Sequence, residues 1–287
     1  MPTLLFGYDV EHTNPTVTAS FLATMRRVHR GLQAPASLFL VGSLVERNAA
    51  DLQGFAGDPL FDLQQHTYSH VLLKTVCMVN EDGTQIKRGG SLEQIDEELG
   101  RANEVIRRLL GVHCSGITGP WNYYRGLSDR PDLLELLRKH GLTISRCWGR
   151  NEQDWQPVRL DVQPFWYAPQ GFPEILEVGI HGWQDCIRRE RIGWEQVDQY
   201  VELTCRDLDE AADRDRVFSY CQHDWSSIRS DPEMRATRAI LEHALKRGFR
   251  VLTYRQFYDE RWSRRPVEER DAAAAVHAAS PVPVPAD

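Results

Sequence analysis

A repeated alternation of short apolar, β-rich runs with longer amphipathic stretches most constrains what this chain can become. The runs are Leu4–Val10, Ser37–Val41, Phe61–Gln65, Gly116–Gly119, Thr143–Cys147, Ile175–Ile180, Val217–Cys221 and Val251–Thr253. Between some of them lie helix signatures. Ser91–Leu110 opens with Ser91 three residues before Gln94, a capping-box pattern, and sets Leu92, Ile95, Leu99, Ala102, Ile106 and Leu109 on a 3.6-residue period. Pro131–Lys139 has Pro in its first turn and Gly141 just past its end. Trp194–Leu208 and Asp231–Lys246 complete the set, the second stopped by Gly248. Such alternation predicts an α/β protein with a parallel sheet, and eight strands favour a closed or distorted barrel over a doubly wound sheet.

The 287 residues suffice for one barrel. With 34 Lys+Arg against 41 Asp+Glu the net charge is −7, which argues against a nucleic-acid binder or an anionic-membrane binder, since each needs a basic face. No apolar run approaches the ~18–20 residues of a membrane span. The opening MPTLLFGYDVEHTN lacks the basic and long apolar regions of a secretory signal, so a cytoplasmic location is expected. The six scattered cysteines include no CxxC pair, and reduced thiols fit better than a disulfide framework or a zinc–thiolate cluster. No glycine-rich phosphate loop is present. The barrel is expected over residues 1–265, followed by an Ala/Pro-rich tail over 266–287, read as disordered. A homo-oligomer is compatible with this composition.

In a parallel barrel, chemistry sits where strands end and loops begin. Four groups fall there. Asp9 and Glu11 close the first strand two residues apart, so both carboxylates can reach one point; they either neutralise a cation or simply start a solvated loop. His66-Thr67-Tyr68-Ser69-His70 follows the third strand, and histidines four apart can aim both rings at one metal. With a carboxylate from another strand end they would form a two-His, one-carboxylate site with open positions. Gly119-Pro120-Trp121-Asn122-Tyr123-Tyr124-Arg125 is either a turn over packed aromatics or a sugar-stacking loop able to aim N–H groups at an oxyanion. His223-Asp224-Trp225 ends a late strand, where a histidine is either structural or catalytic.

Taken in order, GYDVE, HTYSH, TGPW, NEQDW and YCQHD resemble the motifs of the NodB-homology polysaccharide deacetylases, metal-dependent amide hydrolases also called carbohydrate esterase family four. The closing HALKRGFRVLTYRQF looks like the family's last helix and strand, so the resemblance runs from about Thr3 to Tyr258. It implies a distorted (β/α) barrel of seven or eight strands, and a hydrolase that removes an acetyl or formyl group from an amino sugar or related amide. It also implies that His66, His70 and Glu11 hold one divalent ion, zinc or a similar metal. Asp9 is then the general base, although the Asp9 and Glu11 roles could be exchanged. His223 matches the general acid and Trp121 the residue whose N–H helps hold the oxyanion. Tyr124, Arg125, Asp154 and Trp225 are the remaining candidates for the substrate side, and Trp183 a further pocket aromatic. The family's third-motif arginine, read as the partner of the fourth-motif aspartate, is Thr118 here, which leaves Asp154 to find Arg125, Arg146 or Arg150. That departure opens two alternatives on the same scaffold: a cyclic imide or amide hydrolase, and a non-catalytic sugar-binding barrel. The base and acid are expected to face each other across the barrel mouth, one from an early strand and one from a late strand.

Overall fold

The computed structural model describes residues 1–80, 83–267 and 269–270. In chain order the elements are β1 (Thr3–Val10), α1 (Pro15–Leu32), β2 (Ala36–Leu40), α2 (Gly42–Gln53), β3 (Phe61–Gln65), β4 (Val76–Asn80) and β5 (Gly83–Lys87). They continue with α3 (Leu92–Leu110), β6 (Gly116–Tyr124), α4 (Pro131–Lys139), β7 (Ile144–Arg150), β8 (Phe165–Tyr167) and β9 (Phe172–Glu177). The chain ends with α5 (Asp185–Ile192), α6 (Val197–Asp213), β10 (Val217–His223), α7 (Asp224–Arg229), α8 (Arg235–Lys246), β11 (Arg250–Leu252) and α9 (Tyr254–Ser263).

Every one of the eight apolar runs is a strand. The main sheet runs β10-β1-β2-β3-β6-β7-β9-β8, with β11 beside the first residues of β1, and all its pairings are parallel except β8–β9. β1 is buried along its whole length, as a strand covered on both faces must be. Beyond β9 the chain continues against β7 and reaches β10. Val178 and Ile180 donate to the Ser145 and Trp148 carbonyls, and His181 N–H donates to the Ser219 carbonyl at 2.9 Å. Ser219 N–H returns to His181 Nδ1 at 2.9 Å, so one histidine joins the two ends of the sheet into a distorted barrel.

Local signals act as expected at some ends and not at others. Ser91 Oγ caps α3 by accepting from Gln94 N–H at 3.2 Å, and Gly111 ends it in the left-handed region. The reciprocal capping box is found instead at Thr253 and Gln256, opening α9. The buried face of α3 carries Val105 and Leu110, while Leu92 lies exposed. α6 and α8 start later than their periodicity suggests. For α8 the reason is Asp231, whose carboxylate accepts from Ala236 N–H at 2.7 Å, after a left-handed Met234. The β4–β5 hairpin, β8 and helices α1, α2, α5, α7 and α9 carry no run or period in the reading above. None of the six cysteines is paired. Among the described residues no helix is long and apolar enough to cross a membrane. The stretch read as a tail lies, from residue 271 on, outside the described residues.

Two buried histidines are built to stay neutral. His181 accepts at Nδ1 and donates from Nε2 to the Val162 carbonyl at 2.6 Å. His29 donates from Nδ1 to the Ala34 carbonyl and accepts the Tyr8 hydroxyl at Nε2, both at 2.8 Å. Burial pushes both imidazoles down to about 4. The unfolded chain therefore binds these protons before the folded chain does, and stability falls as pH drops from about 6.5 towards 4, by about 1.4 kcal/mol per pH unit for each ring. Urea titrations of His29→Gln over this window should show a shallower slope than wild type by about that amount per unit. An unchanged slope would mean that His29 is not held neutral.

Candidate active site

The carboxyl ends of β1 and β10 meet in register, with Asp9 opposite His223. Asp9 is buried, and its Oδ1 accepts from Arg146 Nη1 at 2.6 Å. Burial alone would raise its carboxyl pKa, but Arg146, then His66 and His223, outweigh that and hold it below the usual range. Arg146 stands on β7 as the register partner of Thr118 on β6. Its Nη1 also donates to Thr118 Oγ1 at 3.0 Å, and Thr118 Oγ1 donates back to the Arg146 carbonyl at 2.8 Å. The remaining guanidinium nitrogens lie sealed against the Phe39 and Tyr254 rings. The guanidinium that the third motif lacks at position 118 thus arrives from the adjacent strand. Its partner is Asp9 and not, as the sequence suggests, Asp154.

Glu11 lies between the two histidines. Its Oε2 is 3.2 Å from His66 Nε2 and 2.9 Å from His70 Nε2, and the three ligand atoms lie within 4.8 Å of one another. His66 Nδ1 donates to the Thr118 carbonyl at 2.8 Å, which leaves its Nε2 lone pair aimed at Glu11. His70 Nε2 is sealed from solvent and has no hydrogen-bond partner. Both features suit a divalent cation: the second nitrogen is set, and a buried lone pair stands without a proton to accept. No helical turn brings the rings together. Residues 66–70 form a loop in which Thr67 and His70 take positive φ of 60° and 67°, folding the second histidine back onto the first. Burial opposes ionisation of Glu11, but His66 and His70 hold its carboxyl well below the usual range.

His223 is oriented by Asp185, at the start of α5. Asp185 Oδ1 lies 2.6 Å from His223 Nδ1, and Oδ2 accepts the His223 N–H at 3.0 Å. Burial works against the imidazolium, yet Cys186, Asp185 and Cys221 push the ring well above the ordinary histidine value. Its Nε2 sits 4.0 Å from Asp9 Oδ2. Base and acid candidates are therefore neighbours on adjacent strands, not partners facing each other across the mouth. The physical reason is closure: a barrel places a late strand beside the first.

These groups open into a cavity of about 730 Å³ that Trp121, Trp155, Trp194 and Trp225 help to wall. Trp225 Nε1 donates to Glu11 Oε1 at 3.3 Å. Trp121 and Asn122 take consecutive positive φ of 69° and 52°, a strained turn of the kind concentrated at functional sites. Three candidates are not brought in: Tyr124, Arg125 and Asp154 do not line the cavity. Tyr124 is exposed against Trp148, and Asp154 turns its carboxylate to the Cys77 N–H of the hairpin at 2.6 Å. Trp183 lies in a separate groove, under Arg191. Asp224 is structural: Oδ2 takes His12 N–H and Thr18 Oγ1, tying the loop after β1 to α7, and burial raises its carboxyl to about 6. Asp185 escapes the sequence analysis, and Arg146, named there only as a partner for Asp154, pairs with Asp9 instead. Asp185 was findable, because HGWQD follows the Ile175–Ile180 run as directly as the other motifs follow theirs.

Residues 4–145 match the family model described as polysaccharide deacetylase. No curated protein matches the chain significantly in sequence. Three solved structures share the fold. A protein described as a polysaccharide deacetylase from Mycobacterium smegmatis is 16% identical with a TM-score of 0.66, over 90% of this chain and 89% of that one. The allantoinase PuuE is 13% identical with a TM-score of 0.66, over 92% and 91%. A protein described as a polysaccharide deacetylase from Pseudomonas aeruginosa PAO1 is 14% identical with a TM-score of 0.63, over 92% and 91%. The family match runs from β1 into β7, so the N-terminal half of the chain is similar to the polysaccharide deacetylases, and the solved structures share the fold of the whole.

Proposed function

We propose that this chain hydrolyses an N-acyl bond, acetyl or formyl, of an amino sugar or related small amide, with a divalent cation held by Glu11, His66 and His70. The observation that carries the reading is the division of labour between two carboxylates two residues apart. Glu11 sits between two imidazole nitrogens, one of them sealed from solvent and facing only that carboxylate, while Asp9 pairs with Arg146. Two histidines and a carboxylate suit zinc and leave positions for water and substrate. When bound, such an ion polarises an amide carbonyl and makes a water acidic enough to ionise near neutral pH.

The chain's own groups do the rest. Asp9, kept anionic by Arg146, accepts the proton of the attacking water. His223, kept cationic against burial by the Asp185 carboxylate, gives its proton to the departing nitrogen. The two sustain each other's ionisation, because an imidazolium 4.0 Å from a carboxylate favours both charged forms. The Trp121 turn would present N–H to the developing oxyanion. A non-catalytic barrel would have no need of a base and an acid each locked by its own buried counter-charge. The cyclic-amide reading draws support from Thr118, where the family has its arginine, and hydrolysis of N-acyl sugars beside cyclic amides separates the two.

With metal added, product mass across that panel should show loss of an acyl group or opening of a ring. No turnover of any member would sink the proposal. His70→Ala should cut metal affinity by at least ~10–100-fold with the fold intact, measured as bound metal after dialysis. Asp9→Asn should keep its metal and lose about 10²–10⁴ in turnover; loss of metal would exchange the two carboxylate roles. Arg146→Thr strands a buried carboxylate and should cost about 3–5 kcal/mol in chemical denaturation. Thr118→Arg in that background should recover part of both stability and turnover, since residues 118 and 146 are register partners. No recovery would mean that the guanidinium must enter from β7.

A further inference from the structure

Of the two arginines in the cavity wall, neither is paired with a carboxylate among the described residues, and only one is buried. Arg150, at the end of β7, is 3% exposed and lines the same cavity as Glu11, His66 and His70. Its Nε donates to the Trp121 and Asn122 carbonyls at 2.9 and 3.0 Å, and its Nη1 to the Asp154 carbonyl. The guanidinium lies between the Trp121 and Trp155 rings, 5.8 and 5.9 Å from their centroids. Three carbonyls and two aromatic faces fix it, yet among the described residues no carboxylate pairs with it. Asp154 is near enough to be felt, but its carboxylate faces the Cys77 N–H.

The other unpaired buried guanidinium nitrogens behave differently. Those of Arg146 and Arg189 are sealed inside the protein and spread on aromatic rings. Arg150 Nη2 has no protein partner and is not sealed, so it is the edge open to the cavity. Burial lowers the pKa of this guanidinium, a sign that its charge is costly where it stands. The cavity's buried acids are engaged, Asp9 with Arg146 and Glu11 with the histidines, and its third acid, Glu190 on α5, stands exposed. An anion brought by the substrate would supply what Arg150 lacks, with the planar, charge-assisted geometry guanidinium favours.

We propose that Arg150 is an anion subsite, and that the amide cleaved here carries a carboxylate which docks on Nη2 between Trp121 and Trp155. This rests on the hydrolase reading for the word substrate, but the subsite itself can be read by binding alone. Cyclohexanecarboxylate and its neutral isostere cyclohexanecarboxamide are titrated into the metal-supplemented full chain, followed by tryptophan fluorescence, which Trp121 and Trp155 report. The carboxylate should bind at least about 10-fold more tightly in wild type. Arg150→Gln should abolish that preference, Arg150→Lys should restore part of it, and Arg229→Gln, on the exposed rim, should leave it unchanged. A purely structural Arg150 would lower binding of both compounds alike. Equal affinities in wild type overturn the proposal with no variant needed, and so does a preference that survives Arg150→Gln, which would place the carboxylate on the metal. A preference that follows Arg150 while no amide is hydrolysed leaves the subsite standing and overturns only the hydrolase reading.

Discussion

The pair between Arg146 and Asp9 holds the site together. At 2.6 Å, with the guanidinium sealed and the carboxylate buried but for its edge on the cavity, neither charge could stand without the other. From β7 Arg146 reaches Asp9 and also fastens Thr118 of β6, whose carbonyl in turn accepts from His66 Nδ1. The base candidate, the first metal-facing histidine and three strands are thus tied to one guanidinium. Such a network is rigid because its members share interlocking bonds, and its failure would leave buried charge rather than a rearranged contact.

Charge is sorted across the barrel mouth by the same logic. Two carboxylates close in sequence would repel if both stood free, yet each is matched by a different cationic group: Asp9 by Arg146, Glu11 by the imidazoles. His223 is matched by Asp185 from a third direction. Proton donor and proton acceptor can therefore lie 4.0 Å apart without exchanging their proton in the resting state.

Much of this was legible in the sequence. The eight strands follow from their apolar runs, and Asp9, Glu11, His66, His70 and His223 follow from looking where those runs end. Helix α1 was legible too: Phe21, Leu22, Met25 and Val28 follow a 3.6-residue period, Asn14 caps it by accepting Thr16 N–H and Pro15 opens it. What stayed hidden has physical causes. The local string NEQDW points to Asp154 as the arginine's partner, but Asp9 takes that place and Asp185 holds His223, because a side chain's role depends on where the fold puts it and not on its neighbours in sequence. Arg146 was hidden for the same reason. Parallel strands in register offer equivalent positions, and nothing in a one-dimensional string says that residues 118 and 146 are side by side. That the first and a late strand touch is a property of closure, which no local pattern carries.

The β4–β5 hairpin, inserted between the histidine loop and α3, supplies Met78 and Gln85 to the cavity wall. A two-stranded ribbon is at best marginally stable alone. Its ties to the barrel include the Cys77 N–H to Asp154 and the Lys87 ammonium 5.2 Å from the Trp121 ring centre. Val76 and Met78 anchor β4 in the main core, so it is β5, exposed along residues 84–87, whose opening free energy is set by such few ties. Admission to the cavity and persistence of the fold become separate quantities. A change in the hairpin can widen or narrow the range of molecules that enter while the catalytic groups beneath keep their positions.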